Sequence, residues 1–232
     1  MMIDTHCHLG KEDYENREEV IKNMGNNIMI VSTASPNDID DIINLCNKYP
    51  NIYGTVGIHP EFASTYTKED LVKVENSLKH SKIVGVGEIG LDYYYTKDNK
   101  DKQIDLFIKQ IELANKYNKT IVIHSREAIE DTYNILKEYK NQNIKCDLHC
   151  YSGSLEMAKR FIPLNTYFGI GGVLTFKNEK DEQCQVILQN DRLVLTPGHN
   201  ILCNAIDEVR FEGGDSLIRM EIKRNDIWSC YI

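Results

Sequence analysis

The chain has 232 residues, a formal net charge of −8 and 41% hydrophobic residues. That length suits one sizeable domain with its own core, and its apolar runs are too short for a membrane span. The acidic balance excludes broad electrostatic capture of nucleic acid, though it leaves room for a phosphodiester met at a small, locally cationic centre.

Seven cysteines without a CxxC pair read as reduced thiols. Met1-Met2-Ile3-Asp4-Thr5-His6 runs straight into strand-like sequence with no basic flank, apolar region or cleavage site. A cytoplasmic protein without a secretory leader is therefore expected.

In chain order, short apolar or β-branched runs occupy Met2–His6, Ile28–Thr33, Ile52–Ile58, Ile83–Glu88, Thr120–His124, Ile144–His149, Thr166–Ile170 and Arg192–Leu195. Helical patterns lie between them. Ser35-Pro36-Asn37-Asp38 offers an N-cap, a first-turn proline and an acid at the third position. Ile39, Ile42, Ile43 and Cys46 follow at helical spacing. Thr67-Lys68-Glu69-Asp70 gives a second start before Leu71, Val74 and Leu78. Ile104, Phe107, Ile108 and Ile111 mark a third helix, and Leu155, Ala158, Phe161 and Ile162 a fourth.

Such alternation predicts a parallel sheet covered by helices. Eight strands fit a closed TIM-type (β/α)8 barrel better than an open doubly wound sheet. An open sheet gathers ligands at one switch point, whereas here metal-capable residues end strands along most of the chain. All those ends share one face of a barrel.

His6 and His8 end the first strand, and alternation turns both imidazoles the same way. Glu88 follows a glycine-rich apolar run, where a carboxylate is costly to bury unless something positive pairs with it. His124 and His149 each close a strand. Taken singly, these residues read equally as exposed histidines, an ordinary loop acid and satisfied polar groups. Five at successive strand ends read as one metal site, in which Glu88 bridges two divalent cations about 3.5–4 Å apart, a hydrolase arrangement.

Asp4 is expected to orient a ligating imidazole from beneath. Cys7 and Cys150 are read as packing residues. His59 and Arg126 suit either substrate contact or the rim; arginine's planar fork matches phosphate. Tyr93, Tyr94 and Tyr95 suit either stacking on a base or sugar or a packed loop over the barrel mouth.

Six motifs carry a family resemblance. They are Asp4-x-His6-x-His8-Leu9, Gly57-Ile58-His59-Pro60, Gly87-Glu88-Ile89-Gly90-Leu91-Asp92-Tyr93, Ile123-His124-Ser125-Arg126-Glu127-Ala128, Leu148-His149-Cys150-Tyr151-Ser152-Gly153-Ser154 and Gly171-Gly172-Val173-Leu174-Thr175-Phe176-Lys177. Together, over roughly residues 1–195, the chain resembles TatD-type metal-dependent hydrolases.

That resemblance implies a TIM-type barrel and two divalent ions, with Mg²⁺, Mn²⁺ or Zn²⁺ as candidates. It also implies deoxyribonuclease action on DNA, as a 3′-to-5′ exonuclease on single strands or 3′ ends. His6 and His8 would hold one ion, His124 and His149 the other, with Glu88 between; His59 and Arg126 would face substrate.

The end of the chain departs from that pattern. Where the family carries an aspartate after the eighth strand, Leu195 is followed by Thr196-Pro197-Gly198-His199, so the water-activating acid has no counterpart. His199, Asp207 and Asp215 are the nearest candidates to replace it. Val209 and Phe211, then Gly213-Gly214-Asp215, then Ile218, Met220 and Ile222 alternate as a hairpin does.

The expected organisation is a barrel over 1–195 whose last strand–helix unit is truncated or replaced by a hairpin-like tail, 196–232, that is not a domain of its own. The alternatives are a hydrolase of small esters or amides and a degenerate metal-binding scaffold.

Overall fold

The structure is a computed structural model that describes residues 2–11, 13–33, 35–95 and 98–171, and beyond them the backbone of six strands. Seven strands form one sheet in the order of the chain: β1 (Ile3–Cys7), β2 (Ile28–Ser32), β3 (Ile52–Val56), β4 (Ile83–Asp92), β5 (Thr120–Arg126), β6 (Cys146–Leu148) and β7 (Thr166–Phe168). Each is parallel to the next. Between them run α1 (Arg17–Asn23), α2 (Ile39–Lys48), α3 (Lys68–Ser77), α4 (Lys100–Tyr117), α5 (Ile129–Glu138) and α6 (Leu155–Phe161). An order that never reverses is the wall of a TIM-type barrel, not a doubly wound sheet.

The helix starts form where the sequence placed them. Ser35 accepts from the Asn37 N–H at 3.2 Å while Asp38 accepts from the Ser35 N–H at 2.9 Å. Thr67 and Asp70 make the same reciprocal exchange at 3.2 and 2.8 Å. The stripes these caps launch become core: Ile39, Ile42 and Cys46 on α2, Val74 on α3 with Leu78 at its cap, and Phe107 and Ile111 on α4 are buried. Each full burial of such a side chain stabilises by roughly 1.5–3 kcal/mol.

Two predicted details change. Ile162 leaves the apolar stripe and is 59% exposed, because Pro163 ends the α-helix and a 3₁₀ turn, Ile162–Leu164, takes over. Two helices, α1 and α5, lay outside the four read from periodicity.

The eighth expected strand exists but joins a different sheet. Gln185–Gln189 (β8), Arg192–Thr196 (β9) and Asn200–Asn204 (β10) pair antiparallel, with β9 in the centre. With β8 on one side and β10 on the other, both hydrogen-bonding edges of β9 are taken. The edges of the parallel wall are β1 and β7.

The expected hairpin forms, as Glu208–Gly214 (β11) against Leu217–Arg224 (β12), with Ile227–Tyr231 (β13) added as a third strand. His199, Asp207 and Asp215, like residues 172–177 of the last motif, lie outside the described residues. No helix among the described residues is long and apolar enough to cross a membrane.

Candidate metal centre

The C-terminal ends of β1, β4 and β5 and the residue after β6 bring one carboxylate and four imidazoles together. Glycine makes the approach possible on β4. A Cβ on Gly90, whose φ is +137°, would lie 2.1 Å from the carbonyl oxygen of His124. A Cβ on Gly87 would lie 2.6 Å from Val122. Only a strand bare at these points can press against β5 closely enough for Glu88 to reach His124.

Glu88 is 4% exposed, and its two oxygens face different histidine pairs. Oε1 lies 2.9 Å from His124 Nδ1 and 2.5 Å from His149 Nε2. Oε2 lies 3.4 Å from His8 Nε2 and 3.6 Å from His6 Nε2. The rings crowd one another: His6 stacks on His149 at 4.1 Å and stands edge-on to His8 at 5.0 Å.

Burial works to raise the pKa of Glu88, but hydrogen bonds from His124, His149 and His8 outweigh it and hold the carboxyl far below the usual range. The His6 imidazole is pushed down to about 3 by burial, with the like charge of His149 adding to it. His8 is raised, chiefly by its hydrogen bond to Glu88.

This donor set fits divalent cations. His6 Nε2 is buried, faces the carboxylate and has no hydrogen-bond partner, and a buried polar atom without one calls for an explanation such as an ion. His6, His8 and Glu88 offer donor atoms all within 4.8 Å of one another. His59, Glu88 and His124 make a second such group, so His59, expected only at the substrate side or the rim, stands among the possible donors. Its ring centroid is 4.5 Å from that of His124, and burial lowers its pKa to about 4.

The supporting residues differ from those expected. Asp4 accepts the backbone N–H of His6 at 3.1 Å rather than a ring N–H, its carboxylate reaching only along its own strand. The ring is held instead by Ser32, whose Oγ sits 3.1 Å from His6 Nδ1 and 2.7 Å from Thr55 Oγ1. The Ser32 carbonyl lies 3.2 Å from His8 Nδ1. Asp92 Oδ2 lies 2.8 Å from His124 Nε2.

Beneath, the buried Thr33 hydroxyl accepts the Gly57 N–H at 2.9 Å and has the carbonyls of Gly57 and Gly87 at 2.9 and 3.2 Å to receive its one hydrogen, tying the end of β2 to β3 and β4. On α4, Gln110 brackets the N–H and C=O of Ile58 at 2.7 and 3.0 Å, and Gln103 brackets those of Asp92 at 2.8 Å each. Two buried glutamines seven residues apart on an otherwise apolar helix face were the sequence signal for this clamp.

Of the remaining candidates, Cys7 is partly buried and donates to the Ile30 carbonyl, whereas Cys150 is exposed rather than buried in the core. Its backbone takes a left-handed turn, φ +48°, and its sulfur lies beside Gly171. Tyr93 is buried, with its hydroxyl donating to Asp131 at 2.9 Å, which is the packed-loop role. Tyr94 and Tyr95 are exposed, and the Arg126 guanidinium lies 3.8 Å from the centroid of the Tyr94 ring. Arg126 pairs with Asp92 across β4 and β5. A cleft of about 100 Å³ between the edge strands is lined by Asp4, His6, Asp147 and His149 among others.

The sequence profile of the TatD related DNase family matches residues 3–196. This chain belongs to the TatD-related DNase family. Among its relatives is a Bacillus subtilis protein named as an uncharacterized metal-dependent hydrolase, YabD, 38% identical over 201 residues that cover 84% of this chain and 78% of that one. A Buchnera aphidicola protein named in the same way is 38% identical over 200 residues, covering 80% and 75%.

The crystal structure of YjjV, a TatD homologue from Escherichia coli, superposes with a TM-score of 0.69 at 29% identity, covering 75% of this chain and 70% of that one. A TatD-family hydrolase from Entamoeba histolytica, at TM-score 0.63 and 24% identity over 77% and 67%, shares the fold. The TatD-type match spans the wall and every residue of the histidine cluster, and stops as β9 ends.

Proposed function

We propose that this TatD-family hydrolase cleaves DNA phosphodiester bonds, shortening single strands from a 3′ end, with two divalent cations held by His6, His8, Glu88, His124 and His149. The division of Glu88 carries the reading: one carboxylate presents each oxygen to its own pair of imidazoles. That is what a bridging ligand between two ions requires, and Mg²⁺, Mn²⁺ and Zn²⁺ are all candidates for it. Such ions, when bound, polarise a phosphoryl oxygen and lower the pKa of water.

The chain's own residues do the rest. Glu88 supplies the fixed negative charge, and the four imidazoles supply lone pairs. His59 offers a buried ring beside His124 to a substrate oxygen. Arg126, at the rim on the adjoining strand, reaches for phosphate with an orientation steadied by Tyr94.

Substrate enters from the face where the strands end, meeting positive charge there and an acidic surface elsewhere, which restricts contact to a strand terminus. The cysteines whose side chains are described are free thiols, in keeping with a cytoplasmic setting. Residues 1–195 carry the reaction, and 196–232 are an appendage to it.

The test is incubation of the purified chain with 5′-end-labelled single-stranded DNA and each of the three metals. A ladder of products shortened from the 3′ end supports the reading. Ions bound without any shortening would reduce the protein to a metal-binding scaffold, and hydrolysis of model esters or amides alone would move it to small-molecule chemistry. The scaffold outcome has one observation behind it, the pairing of β9 away from the parallel wall.

A further inference from the structure

Asp92 is a buried carboxylate at the end of β4 with a partner on every polar atom. Its N–H and C=O are bracketed by Gln103, Oδ1 accepts the Tyr94 N–H at 2.9 Å, and Oδ2 meets His124 Nε2 at 2.8 Å. The imidazole of His124 thus lies between two acids, since its Nδ1 is 2.9 Å from Glu88 Oε1.

A neutral imidazole carries one N–H, so one nitrogen donates and the other offers a lone pair. With an ion held at the centre the lone pair belongs on the Glu88 side, replacing the hydrogen bond that Nδ1 otherwise donates to Oε1, because Oε1 is also where His149 Nε2 converges, at 2.5 Å. The proton belongs on the Asp92 side, where no second imidazole competes for the acceptor among the described contacts.

We propose that Asp92 is a positioning residue: by accepting Nε2–H it fixes His124 in the tautomer whose Nδ1 faces Glu88 Oε1, and so sets the affinity of the ion held at that oxygen. The inference rests on the two-ion reading of the centre. It adds the ligating atom of His124 and an acid–imidazole contact beyond the four that Glu88 makes. Gln103 fixes the backbone of Asp92, and the Tyr94 N–H holds Oδ1, so the carboxylate cannot turn away from Nε2 without breaking that second bond. An outer partner of this kind typically changes metal affinity by about 10–100-fold.

The full-length protein is titrated with Zn²⁺, affinities are read by competition with a chromophoric chelator, and the His124 tautomer is read by long-range ¹H–¹⁵N NMR. In the wild type, two ions should bind, with Nδ1 of His124 ligated and Nε2 protonated. Asp92→Ala should weaken one ion by about 10–100-fold and leave the other within about threefold. Asp92→Asn, whose amide oxygen accepts the same hydrogen, should recover most of the loss.

Affinities unchanged from wild type in Asp92→Ala, equal loss of both, or ligation through Nε2 in the wild type would each overturn the proposal. Should Asp92→Ala fail to fold, the wild-type spectrum and Asp92→Asn decide it. A wild type that binds fewer than two ions sinks the two-ion reading itself, whereas two ions bound with the same affinities in wild type and Asp92→Ala sinks only the role of Asp92.

Discussion

The two oxygens of Glu88 face histidine pairs held by different parts of the molecule. His6 and His8 come from β1, an edge strand, and His8 has a side chain 40% exposed. Their support is a hydroxyl and a carbonyl, both from Ser32 on β2. His124 and His149 come from the interior strand β5 and the turn after β6, with side chains 18% and 13% exposed. His124 leans on a buried carboxylate, Asp92, clamped from α4.

One half is therefore neutral-supported and open at His8, and the other has an acid behind His124 and both of its rings enclosed. Hydrogen bonds to a charged acceptor are roughly twice as strong as neutral ones. The half at Oε1 should bind its ion more tightly, and the half at Oε2 should lose or exchange its ion first. By the TatD resemblance, the aspartate that this chain lacks after Leu195 would join the ion of His6 and His8, the half at Oε2.

The comparison breaks most severely at its shared member. Glu88→Gln should remove both ions and lower any metal-dependent hydrolysis by at least about 10³-fold, the scale of deleting a principal electrostatic stabiliser. Elemental analysis after gel filtration checks it, and retention of two ions would show that the halves do not meet at Glu88.

Next comes separation of the halves. His149→Ala should cost the tight ion more than about 100-fold, beyond what loss of an outer partner costs, while His8→Ala should do the same to the weak ion and spare the other. Competitive Zn²⁺ titration reads both variants, and identical profiles would mean a single shared site.

Gln110→Ala tests the scaffold rather than the ligands. It strands the buried N–H and C=O of Ile58, and at about 1–3 kcal/mol for each unpaired group urea denaturation should show a loss of at least about 2 kcal/mol. Under about 0.5 kcal/mol, the order of a surface substitution, the clamp beneath His59 would be ornamental.

The smallest effect belongs to Gly198→Asp, which puts an aspartate third after Leu195, where the TatD pattern has one. Because Arg192–Thr196 pairs with β8 and β10 instead of the parallel wall, metal affinity should change by less than about twofold, within about 0.4 kcal/mol. A tenfold gain would place that strand back beside β1.

Much of this centre could be read before any coordinates. Short apolar or β-branched runs located β1 to β7 to within a few residues, and the reciprocal caps at Ser35–Asp38 and Thr67–Asp70 located two helix starts, because both signals are confined to a handful of neighbouring residues. The ligand candidates were legible for the same reason, each being the last side chain of an apolar run.

Asp92 stood in plain view within Gly-Glu-Ile-Gly-Leu-Asp yet carried no readable role, since its partner lies 32 residues away on β5. Ser32, an unremarkable strand residue, displaced Asp4 as the support of His6 for a similar reason: the strand pairing of β1 with β2 decides which hydroxyl faces the ring. Cys150 lies exposed at a left-handed backbone turn that its side-chain chemistry does not announce.

By itself, then, the order of residues determined the parallel wall, its direction, and the imidazoles and carboxylate that end its strands, because side-chain alternation and capping act over a few residues. Only the tertiary structure decided which oxygen of Glu88 each imidazole meets, that Asp92 and Ser32 stand behind them, and that Arg192–Thr196 joins an antiparallel sheet. Those outcomes depend on register and on competition for strand edges between segments far apart in the chain, and an isolated apolar run does not say which edge it will find.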